Sequence, residues 1–197
     1  MKIDELYKGS SNRTNRETFS GLNLSSLNVN SLIVAKQIKA RKYLMKELRE
    51  NQILCLQDTR IHSGDTNKYH TIHKWARENV LSHPRVFCTF SEQGKAGGAM
   101  IILPEKSLKT IITVDAISRN TIYIVYKSIN SNINRVFSHY GKPGSKKDEF
   151  LLEMQRINQT IRAVRSKYTY ATIAVCGDFN VGTTSNRYLI MIELNEI

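Results

Sequence analysis

Four polar residues stand at the ends of three apolar runs, and their types suit a hard cation held beside a phosphate. Ala171-Thr-Ile-Ala-Val-Cys-Gly-Asp-Phe-Asn180 is a short β-branched run that stops at Gly177, Asp178 and Asn180. Gln52-Ile-Leu-Cys-Leu-Gln-Asp58 is an apolar run ending in a carboxylate, and Leu24-Ser-Ser-Leu-Asn-Val-Asn30 is a weaker one ending in amides. Mg²⁺ takes oxygen ligands and keeps several waters, so one or two carboxylates with a few amides suffice to hold it. Asp58 as ligand with Asn28 beside it meets that minimum. Asp178 would then orient or deprotonate a water, and Asn180 would donate to a phosphate oxygen. The metal would stabilise charge developing on the phosphoryl group. The Tyr140 phenol, at another strand end, would add a donor. Gly, Asp and Asn are also common turn formers, so each residue has a plain alternative role. Three such ends in one chain weigh against turns alone.

Runs of this length and composition read as strands, and the one before Asp178 as a strand buried on both faces. Sheets of the α/β class place their chemistry at strand ends. Strands are predicted at 22–29, 53–57, 86–90, 99–103, 108–114, 121–127, 134–140 and from 171. Gly94-Lys-Ala-Gly-Gly98 lacks the Walker A pattern, so it reads as a hairpin or bulge. Ser145 with Asp148 forms a capping-box signature for a helix. Phe150, Met154, Ile157, Ile161 and Val164 then mark one buried face, with Arg156, Arg162 and Arg165 on the other. A basic amphipathic helix is predicted over 32–50, its charges read as a solvated face. Residues 65–81 read as a loop with a short helix around Trp75. The fold class is α/β.

The chain of 197 residues suits one domain with a full core. A polar arm over 1–20 is expected to be mobile, with the domain over 21–182 and an atypical tail over 183–197. Hydrophobic content of 41% is ordinary, but the net charge of +12 favours polyanionic partners. Cys55, Cys88 and Cys176 lack metal-ligand spacing and read as buried free thiols in a reducing compartment. His62, His70, His73 and His83 lack acidic or thiol partners at matching spacing. The N-terminus lacks a signal peptide's apolar core, and no apolar run reaches membrane-spanning length. The expected location is intracellular, nuclear or cytoplasmic.

Ser26-Leu-Asn-Val-Asn-Ser-Leu32, Ile53-Leu-Cys-Leu-Gln-Asp-Thr-Arg60, Gly97-Gly-Ala-Met-Ile-Ile-Leu103 and Cys176-Gly-Asp-Phe-Asn-Val181 occur in one order over 22–182. Together they resemble the endonuclease/exonuclease/phosphatase superfamily, with the DNase I-like fold. Their wording is most similar to the apurinic-type endonuclease domains of non-LTR retrotransposons. The resemblance implies a four-layer α/β sandwich and Mg²⁺-dependent cleavage of DNA phosphodiesters leaving a 3′-hydroxyl, with Mn²⁺ as a substitute. It implies metal ligation by Asn28 and Asp58, catalytic roles for Asp178, Asn180 and Tyr140, and contacts to nucleic acid from Arg60, Asn30 and Lys142. It also implies the rest of a longer retroelement polyprotein as a partner, while the lack of a membrane-spanning apolar run leaves no membrane partner expected. Asp58 stands where the family has Glu, one methylene longer. The family's later strands and terminal Ser-Asp-His motif have no counterpart in 181–197, so a C-terminally truncated domain is expected. The alternatives are a non-catalytic nucleic-acid-binding remnant and a phosphatase or phosphodiesterase of the same superfamily.

Overall fold

The computed structural model describes residues 18–19, 22–31, 53–65, 67, 70, 72–74, 84–93, 95–104 and 108–180. The helix predicted over 32–50 and the tail over 183–197 lie outside the described residues.

Among the described residues nine strands build two sheets. β1 (Thr18–Phe19), β2 (Leu22–Asn28), β3 (Ile53–Gln57), β4 (Arg85–Cys88) and β5 (Ala99–Leu103) form the first, in the order β1-β2-β3-β5-β4. β6 (Leu108–Ser118), β7 (Thr121–Ser128), β8 (Ile133–Tyr140) and β9 (Thr172–Asp178) form the second in simple sequence order. β2 runs parallel to β3 and β8 parallel to β9, and every other pairing is antiparallel. The two parallel pairs matter most. Each brings two consecutive strand ends to the same edge, as only a parallel pair can.

Side chains alternate across each strand, and the two alternate sets of the first sheet go to two cores. Ile53, Cys55, Ala99, Ile101 and Leu103 pack inward against Ile122, Ile124, Tyr126, Val136 and Ala174 of the second sheet. Leu54, Leu56, Met100 and Ile102 face outward and pack with Ile61, Val86 and the helical residue Ile72. The outer face of the second sheet is covered by α1 (Lys147–Lys167), whose Phe150, Met154 and Ile157 pack on Phe137. Helical residues thus flank two face-to-face sheets, the expected four-layer α/β sandwich. No helix of the described residues is long and apolar enough to cross a membrane.

Four expectations are corrected. Thr18–Phe19 pairs with β2, so the polar arm gives way to structure before residue 20; 1–17 lies outside the described residues. The helix N-cap is Lys146 and makes no side-chain cap bond, so the Ser145–Asp148 box does not form. Asp148 and Glu149 still occupy the first turn, where the helix dipole favours them. β9 is half-buried, with only Ala174 fully enclosed, because β8 is its one neighbour among the described residues. All three cysteines are free, but Cys88 and Cys176 are only half-buried.

Candidate functional site

β2, β3 and β9 end at one edge of the sandwich, and their last residues are joined by a run of hydrogen bonds. The Gly97 N–H donates to Asp58 Oδ1 at 2.8 Å. Arg60 Nε donates to both Asp58 oxygens at 3.2 Å, and Arg60 Nη2 reaches Asp58 Oδ2 at 2.9 Å. The same Nη2 donates to Asn30 Oδ1 at 2.8 Å. The Asn30 N–H then reaches Asn28 Oδ1 at 3.0 Å, and Asn28 Nδ2 donates to Asp178 Oδ2 at 2.7 Å. Asp178 Oδ1 accepts the Asn180 N–H at 3.0 Å, and Asn180 Nδ2 donates to the Gly141 carbonyl. Six of the eight residues predicted for the site therefore lie on one continuous network.

The backbone is strained where it turns the corner. Asn30, Ser31, Asp58, Arg60 and Asn180 all have positive φ, between 44° and 85°. Non-glycine residues adopt that region at a cost of roughly 1–3 kcal/mol each, and do so where surrounding bonds over-determine them. Those bonds are visible: Ser31 N–H to the Asp58 carbonyl at 2.7 Å, Arg60 N–H to the Gly97 carbonyl at 3.0 Å, and Thr59 N–H to the Gly98 carbonyl at 3.3 Å. Gly97 and Gly98 carry φ of 138° and 84°, and a Cβ on Gly98 would lie 2.6 Å from Thr59 Oγ1. The loop closes the antiparallel β4–β5 hairpin, and these glycines also let its backbone approach Thr59 and Arg60 closely.

Asp58 is 3% exposed, whereas the Arg60 side chain is 40% exposed. The carboxylate is thus enclosed, while the guanidinium bridges it to solvent. Asp58 hydrogen bonding holds the Arg60 pKa above its ordinary value. Tyr140 is buried, and burial followed by the Asp58 and Asp178 charges pushes its phenol up to about 12. It stays protonated and a donor. Lys142 is exposed and lines a cavity of about 270 Å³ with Arg119, Asn120, Tyr140 and Gly141.

No model of a known protein family matches this sequence, and no curated protein does. Solved structures do match. The chain superposes on ANGEL2, a 2′,3′-cyclic phosphatase, with a TM-score of 0.64 at 14% identity, covering 86% of this chain and 56% of that one. The endonuclease domain of TRAS1, a telomere-specific non-LTR retrotransposon, gives 0.57 at 14% identity, covering 88% and 68%. D. rerio TDP2 complexed with a single-strand DNA product gives 0.51 at 14% identity, covering 88% and 64%. The chain has the DNase I-like fold. It spans just over half to about two thirds of the length of these three structures.

Within that sandwich, several contributors escaped the sequence reading. Gly97 supplies a backbone donor to Asp58, and the only signal for it was a glycine pair before an apolar run. Gln57 is buried and donates to Ser138 Oγ at 3.1 Å and the Cys55 carbonyl at 3.0 Å, tying β3 to β8. His139 is 2% exposed and sits behind Asp178 on β8, its ring 5.0 Å from that of Phe179. Its Nδ1 lies 2.8 Å from Thr121 Oγ1, which donates to Glu153. A hydroxyl has one proton, so Nδ1–H is the donor to Thr121, and Nε2 carries a lone pair with no partner among the described residues. Of the other histidines, His62 Nδ1 lies 2.9 Å from Ser91 Oγ.

The implied cation can be tested against these donors. Asp58, Asn28 and Asp178 offer hard oxygens at one edge, the chemistry Mg²⁺ requires. Among the described residues no group of three or more His, Cys, Asp and Glu side chains gathers to hold a metal, so this carboxylate-poor, amide-rich set is what the chain offers. Asp58 is already arranged around positive charge, every hydrogen bond to it coming from a cation or an N–H. The donor types fit, and the guanidinium of Arg60 lies on both oxygens of Asp58.

Proposed function

We propose that this chain is an endonuclease-like domain of the retrotransposon kind, which cleaves DNA phosphodiester bonds with Mg²⁺ or Mn²⁺. The observation that carries the reading is the hydrogen-bonded run from Asp58 through Asn28 to Asp178 and Asn180, whose backbone bonds hold strained residues at the strand-end edge of a DNase I-like sandwich. Asp58 and Asn28 would hold the metal, which supplies charge stabilisation at the phosphoryl group. Asp178 is oriented by two donors on separate oxygens, which leaves lone pairs to take a proton from a water. Asn180 and the protonated Tyr140 are donors for phosphate oxygens. Arg60, Asn30 and Lys142 would meet the nucleic-acid backbone, and the net charge of +12 draws a polyanion toward them. Three free thiols suit an intracellular, reducing setting.

One observation favours a second reading. Arg60 neutralises Asp58 without any metal, as a non-catalytic nucleic-acid-binding module would need. The deciding experiment incubates the full chain with supercoiled plasmid in Mg²⁺ and in EDTA. Nicking that requires Mg²⁺ and leaves 3′-hydroxyl ends is expected. A salt-sensitive mobility shift without nicking would instead support the binding module, and hydrolysis of a small phosphate ester but not of DNA a phosphatase.

A further inference from the structure

The Asp58–Arg60 pair points beyond this assignment. Arg60 grips both oxygens of an enclosed carboxylate, yet its own side chain is 40% exposed and its Nη2 is shared with Asn30. A guanidinium fork fits a carboxylate and a phosphate equally well, and it never loses its charge. Both Asp58 and Arg60 adopt left-handed backbone conformations, at φ 54° and 53°, which turn the two side chains back onto each other. The remaining Asp58 oxygen capacity is taken by the Gly97 N–H. A divalent ion approaching Asp58 therefore meets a resident cation first.

We propose that Arg60 is an internal counter-cation that a divalent ion must displace from Asp58, and that the displaced guanidinium then takes a phosphate of the nucleic acid. Metal and phosphate binding are coupled through this one side chain. Without phosphate, Arg60 opposes the metal. With phosphate, Arg60 has a second anion to bind, and the opposition is relieved. By linkage, each ligand raises the affinity for the other by the same factor. The inference rests on Asp58 being the metal ligand and adds a control that the functional reading does not require.

Calorimetric titration of Mg²⁺ into the full chain tests it, with and without a phosphorothioate-linked oligonucleotide that resists cleavage. Arg60→Gln should bind Mg²⁺ at least roughly fivefold more tightly than the unaltered chain. The oligonucleotide should raise the Mg²⁺ affinity of the unaltered chain by a larger factor than that of Arg60→Gln, the difference being the part carried by the guanidinium. Arg60→Lys, which keeps the charge and loses the fork, should fall between the two and serves if the glutamine variant does not fold. Equal or weaker Mg²⁺ binding by the variants overturns the proposal, as does the absence of Mg²⁺ binding in all of them. Plasmid nicking is scored separately. Tighter binding by the variants without any nicking upholds the counter-cation and rejects the nuclease, and nicking with unchanged affinities does the reverse.

Discussion

Asn28 Nδ2 donates to Asp178 Oδ2 at 2.7 Å, across 150 positions of sequence and between the two sheets of the sandwich. Asn28 closes β2 in the first sheet and Asp178 closes β9 in the second. The bond fixes where one carboxylate oxygen lies, and the Asn180 N–H fixes the other. Sheet packing alone would leave the two strand ends free to slide. These polar bonds set the register of the site.

Asp178→Asn should therefore separate chemistry from folding. The substitution is isosteric, but its new amide NH₂ faces a donor from Asn28 or Asn180, and it cannot accept a proton. Loss of a positioned base typically costs 10²–10⁴-fold, so plasmid nicking should fall by roughly that factor while circular dichroism is unchanged. Nicking at the rate of the unaltered chain would remove Asp178 from the mechanism.

Gly177 and Gly141 hold β8 and β9 together at the site. A Cβ on Gly177 would lie 2.1 Å from the His139 carbonyl oxygen, and one on Gly141 would lie 2.3 Å from that of Phe179. The obstacles are backbone atoms and cannot swing aside. Gly177→Ala should destabilise the domain by about 3 kcal/mol, the upper end for overpacking. Gly64, with nothing within 4 Å of a built Cβ, supplies the control: Gly64→Ala should stay within about 0.5 kcal/mol. Denaturant midpoints measure both, and similar values for the two would contradict the close-approach argument.

The strand ends were readable because parallel pairs put consecutive ends on one edge, and a polar residue closing an apolar run is visible in one dimension. Asn28, Asp58, Asp178 and Asn180 were placed in this way. What the sequence could not show is which partner each would take. The Arg60–Asp58 pair depends on two left-handed residues, and nothing in Asp58-Thr-Arg60 announces them. β9 looked fully buried because apolar composition reports hydrophobicity but not the number of neighbouring strands. The capping box failed by one residue, a shift within the ordinary uncertainty of helix ends.

His139 makes stability depend on acidity. Burial drives its pKa down from 6.5 to about 4, with the Glu153 and Asp178 charges pulling the other way. Between those values the unfolded chain binds a proton that the native state refuses. The stabilisation is thus complete above pH 6.5 and declines as pH falls toward 4. Thermal unfolding should shift downward through that window, by up to about 3 kcal/mol in free energy. His139→Gln should flatten the dependence, and an equally steep profile in the variant would assign it to other groups.

Nucleic-acid binding should be salt-dependent in a way that separates Lys142 from the rest of the basic surface. Lys142 is exposed one residue past Gly141, whose N–H donates to the Asp178 carbonyl at 2.6 Å, so it stands at the site. Lys167 closes α1, which begins at Lys147 beside the same loop. A helix of 21 residues spans about 30 Å, which puts the Lys167 ammonium, 5.4 Å from the Tyr168 ring, at the far end of the domain. Each neutralised phosphate contributes about 0.7–0.9 to the slope of log K against log salt. Lys142→Ala should lower that slope by about 1, while Lys167→Ala leaves it unchanged. The measurement is fluorescence anisotropy of a labelled oligonucleotide in EDTA over a range of salt. Equal losses for both lysines would mean that nucleic acid follows the overall charge and not the strand-end site.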